Sequence, residues 1–379
     1  MLGTELTSEE QLIKESVDRF IQRDYAFEHR RAAVDTELGF TESTWQTFAE
    51  LGWLALTLPE NAGGFAGGAR QTAMLMEAFG RGLVTEPYLA SIVLAGNAIR
   101  FAGAEGDALG VLEAAGRGEL RLALAYAEPN SRYDVCYVET KAERTDAGFR
   151  LNGYKAVVIN GANAQYFVVS ARTAGEVFDE HGVSLFLVPA DHAGVGVRGY
   201  ATNDGGRAAE VTLDNIELGK SALIGQIDGA YVSLERAIDC AAAALCAEAL
   251  GVMTVLNQTT LDYSKTREQF GQPIGKNQAV SHRLVDMFVA LEESRSLLEV
   301  YMGDVDSDDR EERVRAVSAM KIQVGKAGRL VGQEAIQLHG GIGMTDEYSA
   351  GHYFKRLTVI TRLFGDLDWH LDRFASLSE

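Results

Sequence analysis

Arg267, Gln269, Phe270, Ile274 and Gln278 fall within a stretch of chain equal to about four helical turns. An arginine offers a planar fork of donors that fits a diphosphate bidentately. An aromatic ring stacks on a purine, and a glutamine amide hydrogen-bonds its edge. The set therefore suits the adenosine-diphosphate end of a nucleotide. It sits in Thr266-Arg267-Glu268-Gln269-Phe270-Gly271-Gln272-Pro273-Ile274, between two long helical patterns. The elements that must position it are the end of one helix, a short connection and the start of the next. A purely structural role is the alternative, with Arg267 capping a helix or pairing with Glu268.

The rest of the chain divides by pattern. Thr7-Ser8-Glu9-Glu10 has the form of a capping box, with Leu12, Ile13, Val17, Phe20 and Ile21 at helical spacing behind it. Further helical patterns cover 41–51, 69–80 and 89–101, broken by Pro59-Glu60-Asn61-Ala62-Gly63-Gly64. Short β-like runs follow at 122–127, 138–143, 149–151, 156–159, 166–171, 183–188 and 209–213. Turn signals at Asn152-Gly153, Asn160-Gly161 and Asn203-Asp204-Gly205-Gly206 separate them. Helical periodicity then returns over roughly 229–264, 275–303, 311–338 and 347–376, which predicts an antiparallel bundle of four long helices. The expected fold class is α+β, mostly α: an N-terminal helical domain over 1–118, a middle β domain of barrel or sandwich type over 119–226, and a C-terminal four-helix bundle over 227–379.

At 379 residues, 46% hydrophobic and 23% charged, the chain has the composition of an ordinary globular protein. A net charge of −19 argues against a nucleic-acid or anionic-membrane partner, because phosphate recognition needs a cationic surface. Three cysteines, Cys136, Cys240 and Cys246, show no framework spacing, and a reducing cytoplasm is the inference. Met1-Leu2-Gly3-Thr4-Glu5 shows neither a basic nor an apolar leader region. The most apolar stretch, 237–253, contains Asp239 and Glu248 and reads as a buried helix rather than a membrane span. Gly341-Ile342-Gly343 follows a helical pattern and lacks a third glycine, so it is no dinucleotide fingerprint. His339, beside the double glycine, reads as a capping or packing residue.

Four motifs in order resemble those of acyl-CoA dehydrogenases. Glu128-Pro129 resembles the family's Thr-Glu-Pro turn, and Leu151-Asn152-Gly153-Tyr154-Lys155 with Asn160-Gly161 its Leu-Asn-Gly-x-Lys…Asn-Gly hairpin. Arg267 through Gln278 resembles Arg-x-x-Phe-Gly-x-Pro-Ile…Gln. Gln337-Leu338-His339-Gly340-Gly341-Ile342-Gly343…Glu347-Tyr348 resembles Gln-x-x-Gly-Gly-x-Gly…Glu-Tyr. The resemblance implies FAD as cofactor, with Arg267 on its pyrophosphate, Phe270 packed on the dinucleotide, and Ile274 and Gln278 bordering the adenine. Gln269, Gln337, Leu338, Gly340 and Gly341 complete the implied set. In that family this motif reaches a neighbouring subunit's flavin.

The flavin-ring positions depart from the pattern. The Trp and Thr that cover and hydrogen-bond the ring in the family correspond to Val157 and Ile159, and the Thr of Thr-Glu-Pro to Ala127. The family's usual catalytic base, the Glu of Glu-Gly-Thr, falls on Phe364 of Phe364-Gly365-Asp366, and the position of the minority base falls on Ala241. Asp366 and Asp239 are the nearby carboxylates, with a helix-start or surface role as the alternative. No catalytic residue is therefore assigned.

The resemblance extends to the tail Gly351-His352-Tyr353-Phe354-Lys355-Arg356, which looks like that of small subunits in two-chain members of the family. It implies α,β-dehydrogenation of an acyl-CoA by an α2β2 assembly, in which this chain lends the ADP-binding half-site to a catalytic partner. Electron-transfer flavoprotein is the implied acceptor. A self-sufficient homotetramer with Asp366 as base, and a flavin-free scaffold, are the other readings.

Overall fold

The computed structural model describes residues 6–378; residues 1–5, read above for a leader, lie outside them. The chain runs from helices through a sheet to helices. The first helices are α1 (Ser8–Arg23), α2 (Phe27–Val34), α3 (Glu42–Glu50) and α4 (Ala69–Gly82). A fully buried π-helical turn over Leu89–Gly96 then leads into α5 (Asn97–Phe101) and α6 (Gly106–Gly116). The capping box is formed: Thr7 Oγ1 accepts the Glu10 N–H at 3.2 Å, and Glu10 Oε2 accepts the Thr7 N–H at 3.0 Å.

Eight strands follow: β1 (Leu122–Ala125), β2 (Lys141–Arg144), β3 (Gly148–Ile159), β4 (Tyr166–Arg172), β5 (Val183–Pro189), β6 (Val195–Ala201), β7 (Arg207–Gly219) and β8 (Leu223–Ile224). They run in the order β6-β7-β3-β2-β4-β5-β8, with β1 parallel to β4. A single register pair, Lys141↔Arg172, joins β2 to β4. Leu151, Val158, Val211 and Ile216 from one side of that join share a buried cluster with Phe167, Val169, Phe186 and Val188 from the other. The apolar faces of both halves thus make one core.

Asn152-Gly153 is not a turn. The runs 149–151 and 156–159 belong to one long strand, β3, whose register against β7 slips between Leu151 and Gly153 and again between Lys155 and Val158. Glycine suits the first bulge, where a Cβ would stand 2.4 Å from Thr140 Oγ1. The real hairpin at this end is β6–β7, closed by Thr202–Gly206. Strand β6 went unpredicted because two glycines interrupt its alternation.

The C-terminal helices are α7 (Tyr231–Thr266), α8 (Gln278–Tyr301), α9 (Arg310–His339), α10 (Ser349–Ile360) and α11 (Leu367–Ala375). A small ribbon, β9 (Glu268–Gln269) with β10 (Gln272–Pro273), joins α7 to α8. Helix α7 is long and apolar enough to cross a membrane, but 89% of its most apolar window is buried inside the protein. The pattern over 347–376 is two helices rather than one. The break lies at Phe364 and Gly365, with φ of 56° and 110°. Asp366 then starts α11 by accepting the Trp369 N–H at 3.1 Å.

Contacts group the described chain into two compact units, residues 6–31, 69–84 and 242–378 in one, and 32–68 and 85–241 in the other. Within the first, α4 and α7 cross with backbones touching. A Cβ on Gly80 would lie 2.0 Å from the Glu248 carbonyl oxygen, and one on Gly251 would lie 2.0 Å from that of Glu77. The carboxylate of Glu248, buried by this crossing, takes a two-pronged ion pair from Arg356 of α10 at 2.5 and 2.7 Å.

Candidate functional site

The nucleotide-type residues of the first motif stand on the α7–α8 connection. Helix α7 ends at Thr266. The Arg267 N–H still bonds the Tyr263 carbonyl at 2.8 Å, and the Arg267 carbonyl accepts the Ile274 N–H at 2.9 Å, closing the β9–β10 ribbon. Phe270 and Gly271 form its tip with φ of 55° and 78°, as a two-residue turn of this hand requires. A bulky aromatic rarely adopts that conformation, and the Phe270 ring is fully exposed. Arg267, Gln269 and Gln278 are exposed as well. Among the described residues the Arg267 guanidinium has no hydrogen-bond or ion-pair partner, so neither the cap nor the Glu268 pair is formed. Ile274 opens a short 3₁₀ turn, and Gln278 is the first residue of α8.

The second motif ends α9. Gln337 is exposed and Leu338 half-buried on its last turn. Gly340 is its C-cap at φ 63° and ψ −141°, a region open essentially to glycine alone. Gly341 has no such backbone need, and a Cβ there would meet nothing within 4 Å. Its missing side chain leaves open surface. Gln337 and Gly340 line a cleft of about 330 Å³ with Gln333, Ile336, Met344 and Phe354. The structure thus groups the site residues into an outward-facing ribbon and a cleft at the end of α9. Leu338, Gly341 and the residues of 267–278 do not line that cleft.

His339 is buried, with Nδ1 at 2.8 Å from the Ala335 carbonyl and Nε2 at 3.1 Å from the Tyr348 hydroxyl. The packing role expected for it is the one it fills.

The positions that the resemblance gives to the flavin ring are apolar and tied to a buried ion pair. The Lys155 ammonium lies 2.7 Å from Glu128 Oε1, with both side chains out of solvent. Glu128 also accepts from the Thr140 hydroxyl at 2.7 Å and from the Glu139 and Thr140 N–H groups at 2.7 and 3.0 Å. Burial pushes the Lys155 amine down to about 8 against the pull of Glu128. Burial alone would raise the Glu128 carboxyl, but Lys155 and the other donors more than reverse this and hold it below its ordinary value. This pair fixes the turn at Glu128 against the bulge of β3. There the Ala156 N–H bonds the Ala127 carbonyl at 2.9 Å, and Val157 is held at φ 38° with half its surface exposed. No hydroxyl stands at Ala127, Val157 or Ile159 to hydrogen-bond a flavin ring.

At the α10–α11 turn, Phe364, which the resemblance puts at the place of the family's base, is buried. Lys321 donates to the carbonyls of Ile360 and Leu363 at 3.0 and 2.6 Å, and His370 Nε2 donates to the Phe364 carbonyl at 3.0 Å. Burial lowers Lys321 to about 8 and His370 to about 2, the latter helped by the nearby Lys321 and Arg373 cations. Asp366 caps α11 with one carboxylate oxygen and meets Arg362 at 3.2 Å with the other. It occupies the helix-start role. Sequence reading missed Lys321 and His370; a lysine inside a helix and a lone histidine give no local signal of the carbonyls they will reach.

The residues that the resemblance gives to the ADP end have a chemistry that suits FAD: a guanidinium with no partner among the described residues, an exposed aromatic, an amide and open glycine backbone. The ring end does not supply the donors a reduced flavin needs.

Comparison with known proteins gives the family. The chain matches the N-terminal domain of acyl-CoA dehydrogenases over residues 7–119, the middle domain over 123–216 and the C-terminal domain over 228–376. It is 30% identical to mitochondrial isovaleryl-CoA dehydrogenase of Oryza sativa subsp. japonica, over 90% of this chain and 84% of that protein. It is 28% identical to acyl-CoA dehydrogenase FadE27 of Mycobacterium tuberculosis, over 89% and 88%. Among solved structures it is similar to the ChsE4-ChsE5 complex from Mycobacterium tuberculosis, with a TM-score of 0.87 and 27% identity over 99% of this chain and 98% of that one. With all three domains matched in order, the chain belongs to the acyl-CoA dehydrogenase family of oxidoreductases, whose cofactor is FAD.

Proposed function

We propose that this chain is the partner subunit of a two-chain acyl-CoA dehydrogenase. It lends Arg267, Gln269, Phe270, Ile274, Gln278, Gln337, Leu338, Gly340 and Gly341 to the ADP end of FAD, and the catalytic chain brings the base and the ring pocket. The observation that carries this reading is the ribbon tip. A fully exposed phenylalanine at strained φ, beside an arginine with no partner among the described residues, is a costly surface for a chain on its own. It makes sense if another subunit covers it, and the missing base and ring donors are what make that subunit an unlike chain. The buried Phe364 at the base position and the apolar Ala127, Val157 and Ile159 support the same division of labour.

An α2β2 assembly, an acyl-CoA substrate, electron-transfer flavoprotein as acceptor and a cytoplasmic location belong to the proposal. The location rests on three cysteines that form no disulfide among the described residues. When bound, FAD supplies the hydride acceptor; in this chain the residues present serve to bind and orient its dinucleotide end.

A self-sufficient homotetramer with Asp366 as base is the second reading. The commitment of both Asp366 oxygens, to the start of α11 and to Arg362, weighs against it. Copurification of this chain with a second acyl-CoA dehydrogenase chain, followed by a visible spectrum, tests the proposal. A yellow heteromer supports it; a colourless one favours a flavin-free scaffold.

A further inference from the structure

We infer that His339 is a positioning residue that couples the two groups of dinucleotide-binding residues, an inference that rests on the reading just given. The ribbon hangs from Tyr263, whose carbonyl holds the Arg267 N–H at 2.8 Å. The Tyr263 ring lies against the His339 ring, centroids 4.6 Å apart and planes 31° from parallel. His339 is the last residue of α9, directly before Gly340. The Tyr348 ring packs on the same imidazole at 5.0 Å, and Tyr348 stands at the start of α10. One buried ring thus touches the root of the Arg267 ribbon, the end of the helix that carries Gln337 and the entry to α10.

For a neutral ring the hydrogen bonds leave a single arrangement. A carbonyl can only accept, so the imidazole nitrogen facing Ala335, Nδ1, carries the proton. Nε2 is then the acceptor for the Tyr348 hydroxyl. Burial lowers the His339 pKa, outweighing the bond to Ala335 that raises it, and so favours the neutral ring this arrangement needs. With both nitrogens engaged and both tyrosines packed on it, His339 fixes the approach of α7 to α9 at the place where each carries its cofactor residues. It does so through other side chains, since it does not itself line the cleft.

The test is a double-mutant cycle on FAD affinity. FAD is titrated into the deflavinated assembly as it purifies, with melting temperature as the control for folding. His339→Asn keeps a donor near Ala335 and loses the reach to Tyr348; Tyr348→Phe keeps the packing and loses the hydroxyl, and serves in the cycle if the first variant does not fold. Each is expected to weaken FAD, His339→Asn by about tenfold. In the Arg267→Ala background that loss should be clearly smaller, because one of the two groups that His339 holds together is gone. If Arg267→Ala weakens FAD but the losses simply add, or if folded His339→Asn and Tyr348→Phe bind FAD as tightly as wild type, the coupling inference falls and the ADP-end reading stands. An Arg267→Ala assembly with undiminished FAD affinity overturns both.

Discussion

Lys155 and Glu128 form a fully buried ion pair, 2.7 Å from nitrogen to oxygen, inside the β domain. It links the turn after β1 to the bulged half of β3, the two segments that face the flavin ring in the resemblance. The pair is saturated: Lys155 also reaches the Ser170 hydroxyl at 3.1 Å, and Glu128 has three further donors. Removing one partner leaves the other charge buried alone. Lys155→Met is therefore expected to destabilise the protein by about 3–5 kcal/mol in urea unfolding, with the double variant Lys155→Met, Glu128→Leu recovering part of that loss. A single variant as stable as wild type would show the pair to be incidental.

The α4–α7 crossing makes a second prediction. A Cβ at Gly251 would overlap the Glu77 carbonyl oxygen at 2.0 Å, with the Arg81 nitrogen at 2.9 Å on another side. Both neighbours are backbone and cannot swing away. Gly251→Ala should cost about 3 kcal/mol or more, visible as a drop in melting temperature, whereas Gly341→Ala, which enters open space, should cost well under 1 kcal/mol. The two glycines separate packing from site: only Gly341→Ala should weaken FAD without lowering the melting temperature.

His370 sets an acid limit. Its folded pKa is depressed to about 2, first by burial and then by Lys321 and Arg373, while the unfolded residue protonates near the ordinary value of 6.5. Between those values the unfolded state binds the extra proton, so stability falls as pH drops below the unfolded pKa. The expected contribution is about 1.4 kcal/mol per pH unit over that range. His370→Gln should lower stability at neutral pH and flatten the acid limb; an unchanged slope between pH 6 and 4, read from denaturation midpoints, would contradict the assignment.

Asp366 offers a direct choice between the two enzymatic readings. Asparagine can also start a helix, so Asp366→Asn should change stability by less than about 1 kcal/mol. In the two-chain reading the turnover of the assembly should stay near wild type. Loss of turnover with folding intact would instead make Asp366 the base.

Much of the fold was legible because long helices announce themselves by spacing, and the Thr7–Glu10 box by its local chemistry. The misreadings share one cause. Asn152-Gly153 has the composition of a turn, but neighbouring strands extend β3 through it, and only the Thr140 side chain reveals that the glycine serves a bulge. The break at Phe364-Gly365 was hidden because tertiary donors, Lys321 and His370, hold its carbonyls. At the site, Arg267, Phe270 and Gln337 stood out by residue type. The aromatic contact of Tyr263 with His339 did not, since it joins residues far apart in sequence.

The flavin count of the copurified assembly tests the central claim most directly. FAD released by denaturation is measured against chain composition, with and without Arg267→Ala in this chain. The expected result is one flavin for each pair of unlike chains, lost or sharply reduced by Arg267→Ala here even though the partner is untouched. A preparation of this chain alone that holds one FAD per protomer and oxidises an acyl-CoA at a normal rate would contradict it.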